Sequence, residues 1–350
     1  MSRFEPTFEI AGRRVGPGEP AYLIAEAGAN HNRDLGVARQ LIDVAAEAGA
    51  DAVKFQTYTG RDLYSSRTPQ FEYLDDERSP QELLDAIALP REWQPELAGH
   101  AAARGIHFFS SPFDREAVDS LRELGVPAMK VASFEIVDLP LIRHTAAAGV
   151  PVIVSTGMAT YGEIEDALGA VAAAGNRHVA LLRCASVYPA PAEIMNLRAM
   201  ATMQAAFGVP VGLSDHTQGI SVSVGAAALG AQLVEKHFTL DRTMEGPDHP
   251  FALEPAELSA MVAGIRQVQS ALGSGRLEGP SQEESAEMYT LARRSVIAAR
   301  DIPAGTVIGE EMLTIKRPGT GIAPKELALV VGRTARADIP FDEPITWEMV

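Results

Sequence analysis

His216 and His237 each close a short apolar run, VGLSDH and LVEKH, while Lys54 and Lys130 sit inside two others, AVKFQ and MKV. If the two histidine runs are neighbouring strands, their axes lie about 4.8 Å apart, and the paired imidazoles suit a divalent cation with open positions. Glu26, in LIAEAG, is a candidate third ligand, and mixed nitrogen and oxygen ligation suits Mn²⁺ or Zn²⁺. Two ammonium groups beside the hydroxyls of Ser111, Ser133, Ser155 and Ser214 suit a compact anion, a phosphate or a carboxylate. They would draw it into a chain that otherwise repels it, with 30 Lys and Arg against 46 Asp and Glu and a formal charge of −16. The competing reading pairs each lysine with a carboxylate such as Glu26. The segments RCASVYPAPAEIMNL and DRTMEGPDHPFALEP add Tyr188 and Asp248, the latter a candidate to bond sugar hydroxyls or else a solvated loop acid.

The elements that must position these groups follow from a recurring glycine. Gly49, Gly105, Gly125, Gly149, Gly175, Gly208 and Gly230 each end an Ala/Leu/Glu-rich helical stretch and precede a compact apolar run. A left-handed glycine closes a helix without a Cβ penalty, so each reads as a helix-to-strand junction. With the opening run YLIAEAG (22–28) these give eight strands, continuous rather than alternating, as in parallel sheets buried on both faces. LGVARQLIDVAAEA (35–48) and REAVDSLRELG (115–125) are amphipathic helix candidates between them. The expected fold is α/β, a (β/α)8 TIM barrel, with a doubly wound sheet as the alternative.

In such a barrel the chemistry sits at the C-terminal strand ends. Those ends carry Glu26; Lys54 and Gln56; Ser110 and Ser111; Lys130, Ser133 and Glu135; Ser155; Ser186 and Tyr188; Ser214 and His216; Glu235 and His237. A barrel interior should be apolar, so a polar ring drawn from all eight strands reads as a site. Residues 58–92 form a long polar excursion after the second strand, of a length that is usually functional or disordered. Residues 3–16 read as a short hairpin, within an N-terminal segment 1–20, that could close the lower end. The barrel domain is assigned to 1–272, a Gly/Ser/Glu-rich linker to 273–293, and a small β-rich module with a loose R-x-A-R-D-I-P repeat to 294–350. A core that small is marginal alone, so the module should dock on a barrel, its own or a partner's.

Composition excludes several classes. The acidic balance argues against a duplex-binding surface. The lone cysteine, Cys184, rules out an intramolecular disulfide framework and reads as a packed thiol. No apolar run reaches signal-peptide or membrane-spanning length. A soluble, cytoplasmic enzyme is the expectation, with neither nucleic acid nor membrane as partner. His31, in GANHN, reads as a ligand contact or a loop hydrogen bond to backbone.

The motifs IAEAGANHN (24–32), DAVKFQTYT (51–59), KVASFEIVDLPLI (130–142), STGMAT (155–160), CASVYPAP (184–191), GLSDHTQGI (212–220), EKHFTLDRTMEGPDHPFALEP (235–255) and TIKRPGTGI (314–322) occur in this order. Together they resemble the sialic acid (N-acetylneuraminate) synthase family, which includes legionaminic and pseudaminic acid synthases, and the tail resembles that family's antifreeze-like SAF domain. The resemblance implies condensation of phosphoenolpyruvate (PEP) with an open-chain N-acetylated hexosamine to a nine-carbon 2-keto acid and phosphate. It implies a divalent metal on His216 and His237, Mn²⁺ first, with Mg²⁺ or Co²⁺ as alternatives. By motif match, Lys54, Ser111, Lys130, Ser133, Ser155, Ser186, Tyr188 and Ser214 bind PEP. Gln56, Tyr188 and Asp248 lie near the sugar; Glu135 handles a proton or contacts the sugar, and Glu26 orients the metal or a water. Arg317 matches an arginine that the SAF domain of one subunit extends into the barrel of the other, which implies a domain-swapped homodimer. Ser186 and Ser111 replace the Asn and Thr of some members, and each keeps a hydrogen-bonding group. The subgroup signatures are mixed: KVASFEIVDLPLI and FSSPFD resemble pseudaminic acid synthases, GPDHPFALEP the other two branches.

Two further readings compete. Lys54, Lys130 and Lys236 all lie in strands, so a class I aldolase forming a Schiff base on a pyruvate-derived sugar acid is the enzymatic alternative. An inactive barrel serving surface-polysaccharide assembly is the other, and it would need damage among the strand-end residues.

Overall fold

The structure, a computed structural model, describes residues 3–69, 78–277, 279–281 and 283–350. It divides into two compact units, Met1–Gly273 and Ser274–Val350. The first runs β1 (Phe8–Ile10), β2 (Arg13–Val15), β3 (Tyr22–Gly28), α1 (Leu35–Glu47), β4 (Ala52–Thr57), α2 (Gly60–Leu63), α3 (Pro80–Ile87), α4 (Gln94–Ala103) and β5 (His107–Pro112). It continues through α5 (Arg115–Leu124), β6 (Met129–Val131), α6 (Leu139–Ala147), β7 (Val152–Ser155), α7 (Tyr161–Ala173) and β8 (Val179–Cys184). The last part is α8 (Ala199–Phe207), β9 (Val211–Asp215), α9 (Ser221–Ala228), β10 (Leu233–His237) and α10 (Pro255–Ala271).

Strands β3 to β10 are parallel and close into a barrel in the order β10-β3-β4-β5-β6-β7-β8-β9, the eight-stranded TIM-type fold expected from the glycine spacing. All seven junction glycines take positive φ, between 65° and 88°. At Gly125 the helix α5 ends on that left-handed residue, with its N–H bonded to the Leu121 and Arg122 carbonyls. The helices start on side-chain caps where the sequence offers them: Asp34 accepts from Val37 N–H, and Thr160 and Glu163 make a reciprocal capping box on α7. One apolar core joins the outward faces of the strands to the helices.

The hairpin β1–β2 turns through Ala11 (φ 46°) and Gly12 (φ 80°), left-handed residues of the kind a tight two-residue turn needs. Arg13 pairs with Asp51 at 3.0 Å and Phe8 stacks on His178 at 5.8 Å, residues that precede β4 and β8, so the hairpin lies over the N-terminal end of the barrel. Of the excursion 58–92, residues 70–77 lie outside the described residues. No helix among the described residues is long and apolar enough to cross a membrane.

The second unit holds α11 (Ala286–Ala292), β11 (Ser295–Ala298), β12 (Leu313–Lys316) and α12 (Leu327–Val330) around its own small core. Helix α11 falls where the sequence reads as linker. Ser285 accepts from Met288 N–H and the following AEMYTLA is strong helix former, a local signal that the flanking Gly/Ser composition obscures. The loose repeat forms a local pseudo-twofold: Ile302 and Ile339 exchange both backbone hydrogen bonds, at 2.8 and 2.9 Å. Asp301 accepts from Phe341 N–H at 2.7 Å while Asp338 accepts from Ala304 N–H at 2.8 Å.

Candidate active site

Side chains alternate along a strand, so in β4 Lys54 and Gln56 point into the barrel while Val53 and Phe55 point to the helices. The register sets Lys54 opposite Glu26 and Gln56 opposite Ser111, and the closing pair sets His237 opposite Glu26. Four buried charges meet there. Lys54 Nζ lies 3.2 Å from Glu26 and 3.2 Å from Glu235, and Lys130 Nζ lies 3.6 Å from Glu235. The lysines thus face inward and are paired with carboxylates, the competing sequence reading.

Burial and partners split the two acids. Burial pushes Glu26 up to about 7, against the pull of Lys54 and with the help of Glu235. Burial works the same way on Glu235, but Lys130 and Lys54 outweigh it and hold that carboxyl below the usual range. Burial also opposes the charge on Lys54, which Glu235 and Glu26 restore and raise, whereas burial wins at Lys130 and lowers it. With Glu26 neutral, the remaining three charges sum to one positive, which leaves room for an anion. With Glu26 ionised the cluster is balanced.

Hydroxyls ring this cluster. Lys54 donates to Ser111 Oγ at 3.1 Å, Ser214 donates to Glu235 at 2.9 Å, and Gln56 donates to Glu26 at 2.8 Å. Ser133 Oγ accepts from Gly157 N–H at 3.1 Å. A Cβ on Gly157 would come within 2.7 Å of Ser133 Oγ and would overlap Ser186 Oγ, so both hydroxyls crowd the same backbone. Ser155 Oγ is buried with no hydrogen-bond partner among the described residues.

The imidazoles of His216 and His237 lie side by side, ring centroids 5.3 Å apart, with the Tyr188 ring 4.3 Å from His216 and Phe251 5.2 Å from His237. His216 Nδ1 meets Ala185 O at 2.9 Å, which orients the ring and commits that nitrogen, leaving Nε2 for a ligand. His237 Nδ1 is buried with no hydrogen-bond partner among the described residues, 3.5 Å from Asp248 Oδ2. Burial first, then the His216 and Lys54 charges, hold His237 far below its usual pKa, so it is a neutral imidazole. Burial likewise raises Asp248 to about 6. Gly28 (φ 52°) makes this approach feasible, since a Cβ there would stand 2.8 Å from Asp248 Oδ2 and 3.5 Å from His237.

Burial opposes the charge on His216, but the Cys184 contact and the Ala185 carbonyl outweigh it and raise its pKa. The imidazole pair still fits a divalent cation with open positions, which would displace that proton. Glu26 Oε1 accepts from Gln56, and Oε2 lies 3.2 Å from Lys54 with no hydrogen-bond partner among the described residues. Among the described residues no group of three His, Cys, Asp or Glu stands ready around one point.

One cavity at the C-terminal mouth is lined by Glu26, Lys54, Gln56, Ser111, Lys130, Ser133, Ser155, Tyr188, Ser214, His216 and His237, joined by Ala132, Cys184 and Glu235. Asp248 adjoins it through His237, and Ser186 through Gly157. Glu135 stands just beyond, in a 3-10 turn over Ser133–Val137, with Oε2 buried and without a hydrogen-bond partner among the described residues, and its carboxyl raised by burial to about 7. Arg317 belongs to the second unit, exposed directly after β12. A wider hollow of about 630 Å³ lies at the opposite end of the barrel, lined in part by Gln232, Arg266 and Gln269. Those three side chains bond Val211 N–H, Asp51 and the Ala21 backbone.

Two residues take a larger part than sequence reasoning gave them. Glu235 was visible as a strand-end acid, and its alternation with His237 marks it as inward, but not that it binds both lysines. Cys184 Sγ lies 3.7 Å from His216 Nδ1, a contact between strands that no spacing reveals. Lys236, a Schiff-base candidate, points the other way and pairs with Asp215 at 3.0 Å. His31 is buried and its Nδ1 accepts from Arg33 N–H at 3.0 Å, the backbone role.

The comparisons with known proteins agree with this architecture. A model of the NeuB family matches residues 41–277, and one of the SAF domain matches residues 293–350. An N,N'-diacetyllegionaminic acid synthase of Campylobacter jejuni is 41% identical over 329 residues, 92% of this chain and 98% of that protein. A pseudaminic acid synthase of the same species is 38% identical over 328 residues, 93% and 95% of the two chains. The crystal structure of an N-acetylneuraminic acid (sialic acid) synthetase from Leptospira borgpetersenii, in complex with citrate, superposes with a TM-score of 0.72 at 33% identity, covering 82% of this chain and 96% of that one. A closed barrel with this polar mouth, followed by a SAF domain, thus belongs to the NeuB family and is an enzyme of the sialic acid synthase type.

Proposed function

We propose that the enzyme condenses PEP with the open-chain aldehyde of an N-acetylated hexosamine, giving a nine-carbon 2-keto acid and inorganic phosphate. The observation that carries this reading is the single cavity that Lys54 and Lys130 share with His216 and His237. A cationic surplus beside hydroxyls suits the phosphate and carboxylate of PEP, and the imidazole pair suits the aldehyde end.

In the reaction, the double-bond electrons of PEP form a bond from C3 to the aldehyde carbon, and the aldehyde oxygen gains a proton. Water adds at C2 and gives up one proton, which balances the one the aldehyde oxygen gained. The C2–O bond to phosphate then breaks as the C2 hydroxyl passes its proton to the departing phosphate, leaving the keto group. Lys54, Lys130, Ser111, Ser133, Ser155, Ser186 and Ser214 hold PEP against its own charge, and Tyr188 closes over it. Gln56, Tyr188 and Asp248 orient the sugar. Glu135 supplies the proton at the sugar oxygen, and Glu26 orients the attacking water. A divalent cation, Mn²⁺ first and Mg²⁺ or Co²⁺ as alternatives, would be held by His216 and His237 and would polarise the aldehyde oxygen as a Lewis acid.

The mouth also invites a second copy of the chain. Phe134, Val137, Met158, Val187 and Ile194, on the loops after β6, β7 and β8, are large, apolar and 43–78% exposed. A SAF domain from a partner, bringing Arg317 to the sugar, would cover them in a domain-swapped homodimer.

The test is an acceptor panel with PEP and Mn²⁺, comparing N-acetylmannosamine with 2,4-diacetamido hexoses and reading phosphate release. One acceptor should turn over, EDTA should stop it, and Lys130→Ala should lower kcat/KM by at least about 10²-fold while the protein stays folded. Near-normal turnover by that variant, or a borohydride-trapped adduct with pyruvate, would overturn the reading.

A further inference from the structure

We infer that Asp215 and Lys236, which touch no part of the cavity, are positioning residues that hold His216 and His237 at the separation at which they share one cation. The inference rests on the reading that these imidazoles bind a metal. Each member of the pair immediately precedes one of the histidines, on the adjacent strands β9 and β10, and the register sets the two opposite each other. Alternation turns both away from the barrel interior, directly behind the imidazoles.

The pair is sealed. The ammonium and carboxylate meet at 3.0 Å with side chains 1% and 0% exposed. Asp215 Oδ1 accepts from Thr217 N–H at 2.9 Å and from its hydroxyl at 2.8 Å, and Oδ2 accepts from Ser223 at the start of α9 at 2.6 Å. Lys236 donates in turn to the Thr217 carbonyl. The residues on both sides of His216 are therefore pinned to the residue that precedes His237.

Stability does not account for such a device. Taking two charges out of water costs about what their attraction returns, and well-packed apolar residues serve a core as well or better. What apolar residues cannot do is fix the turn at Thr217 relative to the neighbouring strand. Outer partners of this kind typically alter metal affinity by about 10–100-fold when removed.

The test uses the double variant Asp215→Asn/Lys236→Met, which removes both charges together and keeps an amide for Thr217 and Ser223. Mn²⁺ binding is followed by EPR of the free ion, and the imidazole ¹⁵N resonances are followed in metal-free protein. The expected result is a cooperatively unfolding protein whose Mn²⁺ Kd rises about 10–100-fold and whose His216 and His237 resonances broaden or double. Ser223→Ala, a milder cut at the same carboxylate, should raise Kd about 3–10-fold and stands in if the double variant fails to fold. Unchanged Kd together with unchanged imidazole resonances overturns the inference. A wild-type protein that binds no Mn²⁺ removes the metal reading instead, since the resonances of metal-free protein still report whether the pair holds the rings.

Discussion

Lys54 and Glu235 meet at 3.2 Å from strands β4 and β10, which are not neighbours but both flank β3. Only a closed barrel, with inward side chains reaching across the intervening strand, brings them together. Glu235 thereby becomes the shared counter-ion of two buried lysines.

Glu235→Ala should leave two buried ammonium groups with one carboxylate between them. Breaking a buried pair from one side costs about 3–5 kcal/mol, because the survivor keeps its desolvation penalty. Urea unfolding of the variant reads this directly. A loss below about 1 kcal/mol would mean that water reaches the lysines and that the cluster is not sealed.

Glu135→Gln should change how stability depends on pH. The folded carboxyl titrates at about 7, above the 4.5 ordinary for a glutamate, chiefly because it is buried. The stability that its protonated form contributes is complete below the unfolded pKa and is lost as pH rises through the folded one. Glutamine does not titrate, so the variant should gain on the wild type by about 2–3 kcal/mol between pH values of about 5 and 8.5. A difference that does not vary with pH would show that Glu135 is solvated.

Gly28→Ala should injure the sugar side of the site more than the PEP side. The φ of 52° costs an alanine about 1–2 kcal/mol, and its Cβ would press on Asp248 from 2.8 Å. The KM for the acceptor should rise about 10-fold with that for PEP little changed. Equal losses for both substrates would place Asp248 away from the sugar.

Mixing two inactive variants tests the swapped dimer. Lys130→Ala damages a barrel and Arg317→Ala damages a SAF domain, so a mixed dimer that exchanges SAF domains contains one intact pairing of the two. After co-refolding, activity should return to roughly a quarter of wild type, as expected for random pairing with one intact site in each mixed dimer. No recovery, with dimers shown by analytical ultracentrifugation, would rule out the exchange.

The barrel was legible from sequence because its signals are local. A left-handed glycine after each helix and a continuous apolar run after each glycine are read within a few residues, and alternation along a strand then says which side chains look inward. That is why Lys54, Lys130, Ser214, His216 and His237 could be named together. Helix α11 escaped for a related reason, since its seven residues are too short to show a period against a Gly/Ser-rich background. Tertiary structure alone decided which inward groups touch. The sharing of Glu235 by two lysines, the Cys184 contact with His216, the contacts of Glu26 with Gln56 and Lys54, and the Asp215–Lys236 pair depend on barrel closure, strand stagger and side-chain length. Those relations join strands far apart in the chain, and no residue carries them in its own neighbourhood.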